Sequence, residues 1–224
     1  MRRHSLILHN RFTTIIALQF HSRCRPRSLI LWCLGSFIGE ETYSAGTTRD
    51  YLVTDSPTWI VDPLDGTVNF THLFPMFCVS IAFCLDSKPI IGVINAPFLG
   101  QFFSSCKGRG AWLNENRPLP LIREPIPPIP ASAPKGCIFS CEWGKDRRDI
   151  PGGNLQRKVD SFVNMATELG GRGGKGAMVH GVRSLGSATL DLAYTAMGSF
   201  DIWWEGGCWE WLVTQLCKFL INSS

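Results

Sequence analysis

The sequence predicts an α/β protein, and three observations predict it. Short apolar segments between residues 59 and 113 are separated by turn residues, the pattern of successive strands. Two later segments, 155–169 and 187–198, carry apolar residues at helical spacing. Glycine (22) and proline (14) are frequent enough in 224 residues to punctuate many turns.

The elements follow in order. Residues 31–38 are apolar and lead into Gly39-Glu40-Glu41. Residues 59–61 read as a short buried strand ahead of an acidic turn. Residues 77–84 and 90–94 read as two strands joined by the turn residues Asp86-Ser87-Lys88-Pro89. Segments 101–105 and 111–113 add two more around Lys107-Gly108-Arg109-Gly110, so the set is a meander with antiparallel neighbours. Seven prolines between 118 and 134 exclude regular structure there and predict a surface connection. Leu155, Val159, Phe162, Val163, Ala166 and Leu169 mark one face of a helix that stops at Gly170-Gly171. A small, apolar helix over 187–198 ends at Gly198, and Phe200 to Trp204 reads as a buried strand.

Composition narrows the function. Of the six arginines in residues 1–30 none is balanced by an acid; the remaining 194 residues carry 16 basic and 18 acidic side chains, a net of −2. The body of the protein therefore offers no nucleic-acid footprint. No apolar run approaches the roughly 18 residues of a membrane span. The nine cysteines contain no CxxC pair and no zinc-ligand spacing, which predicts reduced thiols in an intracellular protein. The arginine-rich start has two readings, a mitochondrial presequence or a segment that is not natural coding sequence. The expected organisation is an atypical segment 1–34, a domain 35–211 and a divergent tail 212–224.

The chemistry is concentrated in Trp59-Ile60-Val61-Asp62-Pro63-Leu64-Asp65-Gly66-Thr67-Val68-Asn69-Phe70. A strand delivers two carboxylates, three residues apart, into a tight turn. Pro63 restrains the backbone, so the turn can aim Asp62, Asp65 and the Leu64 carbonyl at one point. Such oxygens suit a hard divalent cation, which recruits a substrate phosphate as a further ligand. Gly66 permits close backbone approach. A helix starting near Gly66-Thr67 would turn its free N–H groups to the same point. Two metal ions bridged by Asp62 would activate a water and stabilise the leaving oxygen of an in-line displacement. Glu40, at the end of an apolar segment, is placed to complete the first ion's shell.

Four strings together extend this reading: Gly39-Glu40-Glu41, the Asp62-Pro-Leu-Asp-Gly-Thr-Val-Asn-Phe70 run, Gly181-Val-Arg-Ser-Leu-Gly-Ser-Ala188, and Trp204-Glu-Gly-Gly-Cys-Trp-Glu-Trp211. From about residue 35 to 211 the chain resembles the inositol monophosphatase family, with the last string in the form of its fungal members. The resemblance implies a layered α/β/α/β sandwich, magnesium dependence and hydrolysis of phosphate monoesters. It puts Glu40, Asp62, the Leu64 carbonyl and Asp65 on metal-ligand positions, and Gly66 and Thr67 on phosphate-contacting positions. It makes Thr67 and Glu40 the catalytic pair. Gly186, Ser187 and Ala188 fall where the family lines the inositol ring, and Glu205 falls on the carboxylate that binds ring hydroxyls. An acid beside tryptophans and glycines independently suits a polyol pocket.

Two departures accompany the resemblance. The family's second-metal aspartate is replaced by Leu212, and residues 213–224 no longer follow the family. The paired helices expected before Gly39 are replaced by the arginine-rich start. The expectation is a truncated or misassembled chain of low activity. The leading function is a magnesium-dependent phosphatase for inositol monophosphate or a similar small polyol phosphate, in the cytoplasm, with a homodimer possible. The competing readings are a 3′-nucleotidase-type or sugar bisphosphatase relative and an inactive pseudoenzyme. Neither nucleic acid nor membrane is an expected partner.

Overall fold

Buried residues at positions 58 and 60–62 and the continuous burial of 80–84 build the centre of the larger sheet. A computed structural model describes residues 35–39, 53–121, 128–144 and 146–206, all within one unit, Gly35–Ser224. Strands β1 (Ser36–Gly39), β2 (Thr58–Asp65), β3 (Cys78–Leu85), β4 (Lys88–Ala96), β5 (Gln101–Cys106), β6 (Gly110–Leu113) and β7 (Arg117–Pro118) form a seven-stranded sheet in sequence order. All neighbours from β2 onward are antiparallel, as the meander predicts; β1 joins β2 in parallel.

A second, parallel sheet has the order β10-β8-β9, from β8 (Ile138–Cys141), β9 (Gly181–Arg183) and β10 (Ile202–Trp204). Helix α1 (Thr67–Thr71) follows β2 directly. Helix α2 (Asn154–Ala166) packs on β8 and β9, while α3 (Ala188–Met197) touches β3 and β4 of the large sheet and β10 of the small one. The layers are thus sheet, helix, sheet, helix. The main core joins Ile60, Ile94, Phe103 and Leu113 of the large sheet to Leu190, Leu192 and Met197 of α3.

Three expectations are corrected. The stripe assigned to α2 is not the buried one: Val159, Val163 and Leu169 are 42%, 39% and 53% exposed, while Asn154 and Lys158 are buried. Polar pairing outranks apolar periodicity here. Asn154 Nδ2 donates to the carbonyls of Trp143 (3.2 Å) and Asp146 (3.0 Å), and Lys158 meets an acid. The proline-rich connection is not wholly superficial, because β7 pairs Pro118 with Trp112 and Leu119 enters the core. A proline at the sheet edge gives up no needed ladder donor. Among the described cysteines, Cys78, Cys84, Cys137 and Cys141 form no disulfide, but Cys106 is disulfide-bonded, so the thiols are not all reduced. Residues 1–34, Glu40 and the tail 212–224 lie outside the described residues.

Candidate active site

In a regular strand, residues three apart point to opposite faces. Asp62 and Asp65 escape this because β2 carries an extra residue. Asp62 pairs with Ser80 and Asp65 with Cys78, so three steps on β2 match two on β3. Ser80 and Cys78 share a face, and the bulge therefore turns both aspartates to that face. Pro63, which cannot donate to the ladder, sits inside the bulge. The thiol of Cys78 responds to this arrangement. Burial pushes it well above its usual range, and the charges of Asp65 and Asp62 push it the same way.

The bulge is closed by its own side chains. Asp62, 2% exposed, accepts the Leu64 N–H at Oδ1 (3.0 Å). The Thr67 hydroxyl donates to the Leu64 carbonyl at 3.0 Å. Gly66 precedes α1 with φ +84°, and a Cβ there would stand 2.7 Å from the Met76 carbonyl oxygen. Glycine is required both by the left-handed backbone and by this close approach. Asn69 on α1 donates through Nδ2 to the carbonyls of Met76 (2.6 Å) and Leu185 (2.7 Å). That second bond draws the 184–187 loop onto the end of β2 and the start of α1. Gly186 (φ +76°) makes room for it, since a Cβ there would meet the Asn69 amide at 2.7 Å.

The start of α3 completes this side. Ser187 caps the helix by accepting the Leu190 N–H (3.2 Å) and donates its own proton to Asp65 Oδ2 (2.5 Å). The Thr189 N–H reaches the same oxygen at 3.1 Å. A carboxylate at a helix N-terminus is well matched to the unpaired amides and to the helix dipole. Among the predicted residues, Asp62, Leu64, Asp65, Gly66, Thr67, Gly186, Ser187 and Ala188 are therefore brought together.

Behind the 184–187 loop lies a buried polar group. Glu142 accepts the Gly186 N–H (2.8 Å) and the Ser184 hydroxyl (3.1 Å). Asp191, fully buried in α3, accepts from the Ser140 hydroxyl. Burial, then hydrogen bonding to Glu142 and its charge, push the Asp191 carboxyl up to about 9. No protein donor reaches Asp191 Oδ2. A carboxyl group that keeps its proton avoids placing a second buried negative charge beside Glu142. Glu205, next to β10, is nearby and pairs with Lys158 of α2 at 2.7 Å.

The donor chemistry fits a hard divalent cation, being two carboxylates and a carbonyl from one bulge. Among the described residues, no three acids, cysteines or histidines are placed to hold a metal ion together; Glu40, the predicted further ligand, lies outside them. No described helix is long and apolar enough to cross a membrane.

Sequence reasoning missed Asn69, Glu142, Lys158 and Asp191. Asp191 is the sole acid within the ten residues of α3, otherwise mostly apolar, a signal that was available. Lys158 had none, because a lysine on a helix ordinarily faces water.

Comparison with known proteins agrees with these strings. The profile described as the inositol monophosphatase family matches residues 35–212. "Quinic acid degradation cluster protein x" of Neurospora crassa is 77% identical over 178 residues, covering 78% of this chain and 52% of the relative. "Inositol monophosphatase 2" of Saccharomyces cerevisiae is 39% identical, covering 78% and 54% respectively. The solved inositol monophosphatase from Anabaena superposes with a TM-score of 0.60 at 33% identity, over 75% of this chain and 60% of that one. The chain spans about half the length of the curated relatives it matches.

Proposed function

This chain belongs to the inositol monophosphatase family, and from that premise we propose that it is a magnesium-dependent phosphomonoester hydrolase of the cytoplasm. Its substrate is inositol monophosphate or a similar small polyol phosphate. The observation that carries the reading is the β2 bulge, which turns Asp62 and Asp65 to one face. Bound magnesium would supply positive charge to the phosphoryl oxygens and a water of lowered pKa. Asp62, Asp65 and the Leu64 carbonyl, with Glu40, would hold it.

The chain's own residues do the rest. The backbone N–H groups of Gly66 and Thr67, at the start of α1, would meet the phosphate. The Thr67 hydroxyl gives its proton to the Leu64 carbonyl, so its lone pairs remain to accept a hydrogen bond from the attacking water. Glu40 takes up that water's proton as its oxygen bonds to phosphorus. The ester P–O bond breaks, and the leaving alkoxide takes a proton from a solvent water. Gly186, Ser187 and Ala188 line the ring, and Glu205 accepts ring hydroxyls.

Phosphate release with magnesium tests this across a panel of substrates. We expect turnover of inositol monophosphate above that of adenosine 3′,5′-bisphosphate; the reverse order would move the chain to the nucleotidase-type relatives. Leu212 favours a second reading, a non-catalytic relative, because the family's second-metal aspartate is absent there. Magnesium calorimetry separates the two: two sites with turnover reject it, one weak site without phosphate release supports it.

A further inference from the structure

Lys158 has no solvent exposure, and its ammonium is held on three sides. It donates to Glu205 Oε1 at 2.7 Å, lies 4.3 Å over the Trp204 ring and sits 3.7 Å from Cys141 Sγ. A fully buried lysine is rare unless paired, since desolvating an ammonium costs several kcal/mol. Cys141 does not share the charge: burial pushes its thiol up to about 11, so the sulfur is neutral near pH 7. The ammonium is therefore committed to Glu205.

Glu205 is equally enclosed, with its side chain 2% exposed. Burial pushes its carboxyl up, while Lys158 opposes that by hydrogen bond and charge. Its second oxygen, Oε2, is buried and no protein donor pairs with it. A buried carboxylate oxygen with open lone pairs is costly unless something donates to it. Hydroxyl groups of a polyol supply that donor; a hydroxyl-free ester does not.

We propose that Lys158 is a specificity-determining positioning residue, which acts through Glu205. It holds Oε1 so that the Glu205 carboxyl group keeps one orientation, with Oε2 turned to accept from a substrate hydroxyl. The inference rests on the polyol-phosphate reading above. Lys158 touches no substrate; its effect falls on which ester is chosen.

The test compares inositol monophosphate with p-nitrophenyl phosphate, which has no ring hydroxyl. The readout is the ratio of their kcat/KM values in magnesium. Lys158→Met keeps the length of the side chain and removes the charge. The expected result is a fall in that ratio of about tenfold or more, the loss seen when a hydrogen-bonding partner for a substrate hydroxyl is disabled. Lys158→Met/Glu205→Gln removes both charges together, and its ratio should equal that of Glu205→Gln alone. The double variant also carries the comparison should Lys158→Met fail to fold. A Lys158→Met ratio within twofold of the native value, or a double variant well below Glu205→Gln, overturns the inference and leaves the hydrolase reading standing. A native chain that releases phosphate from neither ester overturns both.

Discussion

Ser187 Oγ lies 2.5 Å from Asp65 Oδ2 and 3.2 Å from the Leu190 amide, so one hydroxyl joins a candidate metal ligand to the first turn of a core helix. The hydroxyl's proton goes to the carboxylate and its lone pair takes the amide. Removing it strips both partners at once. Ser187→Ala should lower stability by about 1–2 kcal/mol, the value of a helix cap. Urea denaturation measures this, and Ser187→Thr, which keeps the hydroxyl, should recover much of it.

Asp62→Asn separates charge from geometry. Asparagine keeps an Oδ1 to accept the Leu64 N–H at 3.0 Å, so the bulge should persist and the thermal midpoint should change little. On the proposed ligand set magnesium would lose an anionic ligand, and calorimetric titration should show its binding weakened at least tenfold. A variant binding magnesium as well as the parent would remove Asp62 from the ligand set.

Gly66→Ala should destabilise by about 1–3 kcal/mol, because a strained left-handed backbone is joined by a real clash. The added methyl would face the Met76 oxygen at 2.7 Å. Gly100→Ala, with φ +61° and no atom within 4 Å of its Cβ, isolates the backbone cost alone and should lose less. Denaturation midpoints of the two variants make the comparison.

Stability should fall as pH rises from about 6 to 9. The Asp191 carboxyl is raised from 3.8 to about 9 in the folded protein. Across that window the native state keeps a proton that the unfolded chain has released. Folding therefore loses up to about 1.4 kcal/mol per pH unit from this group, and the loss levels off above the folded value. The contribution is complete only below the unfolded pKa. Asp191→Asn presents an amide that donates to Glu142 and accepts from Ser140, with no proton to lose. Thermal midpoints taken from pH 6 to 9 should slope downward for the parent and flatten for the variant.

Much of the fold was written in local pattern. Segments 77–84, 90–94, 101–105 and 111–113 became strands within a few residues of expectation. Turn chemistry and apolar runs act over short distances, so a chain read in order reveals them. Pro63 also marked the point where β2 leaves regular pairing, because a missing N–H is a local fact.

What the sequence settled alone was the set of chemical parts: two carboxylates around Pro63, a hydroxyl after Gly66, and a glycine-serine pair ahead of a small helix. Only the tertiary structure decided how they are used. The shared face of Asp62 and Asp65 depends on counting residues against β3, and Asn69 meets Leu185 across 116 residues. The fate of Lys158 depends on Glu205, 47 residues away. Local propensity cannot see such pairs, because burying a charge is decided by the partner that three-dimensional packing brings to it.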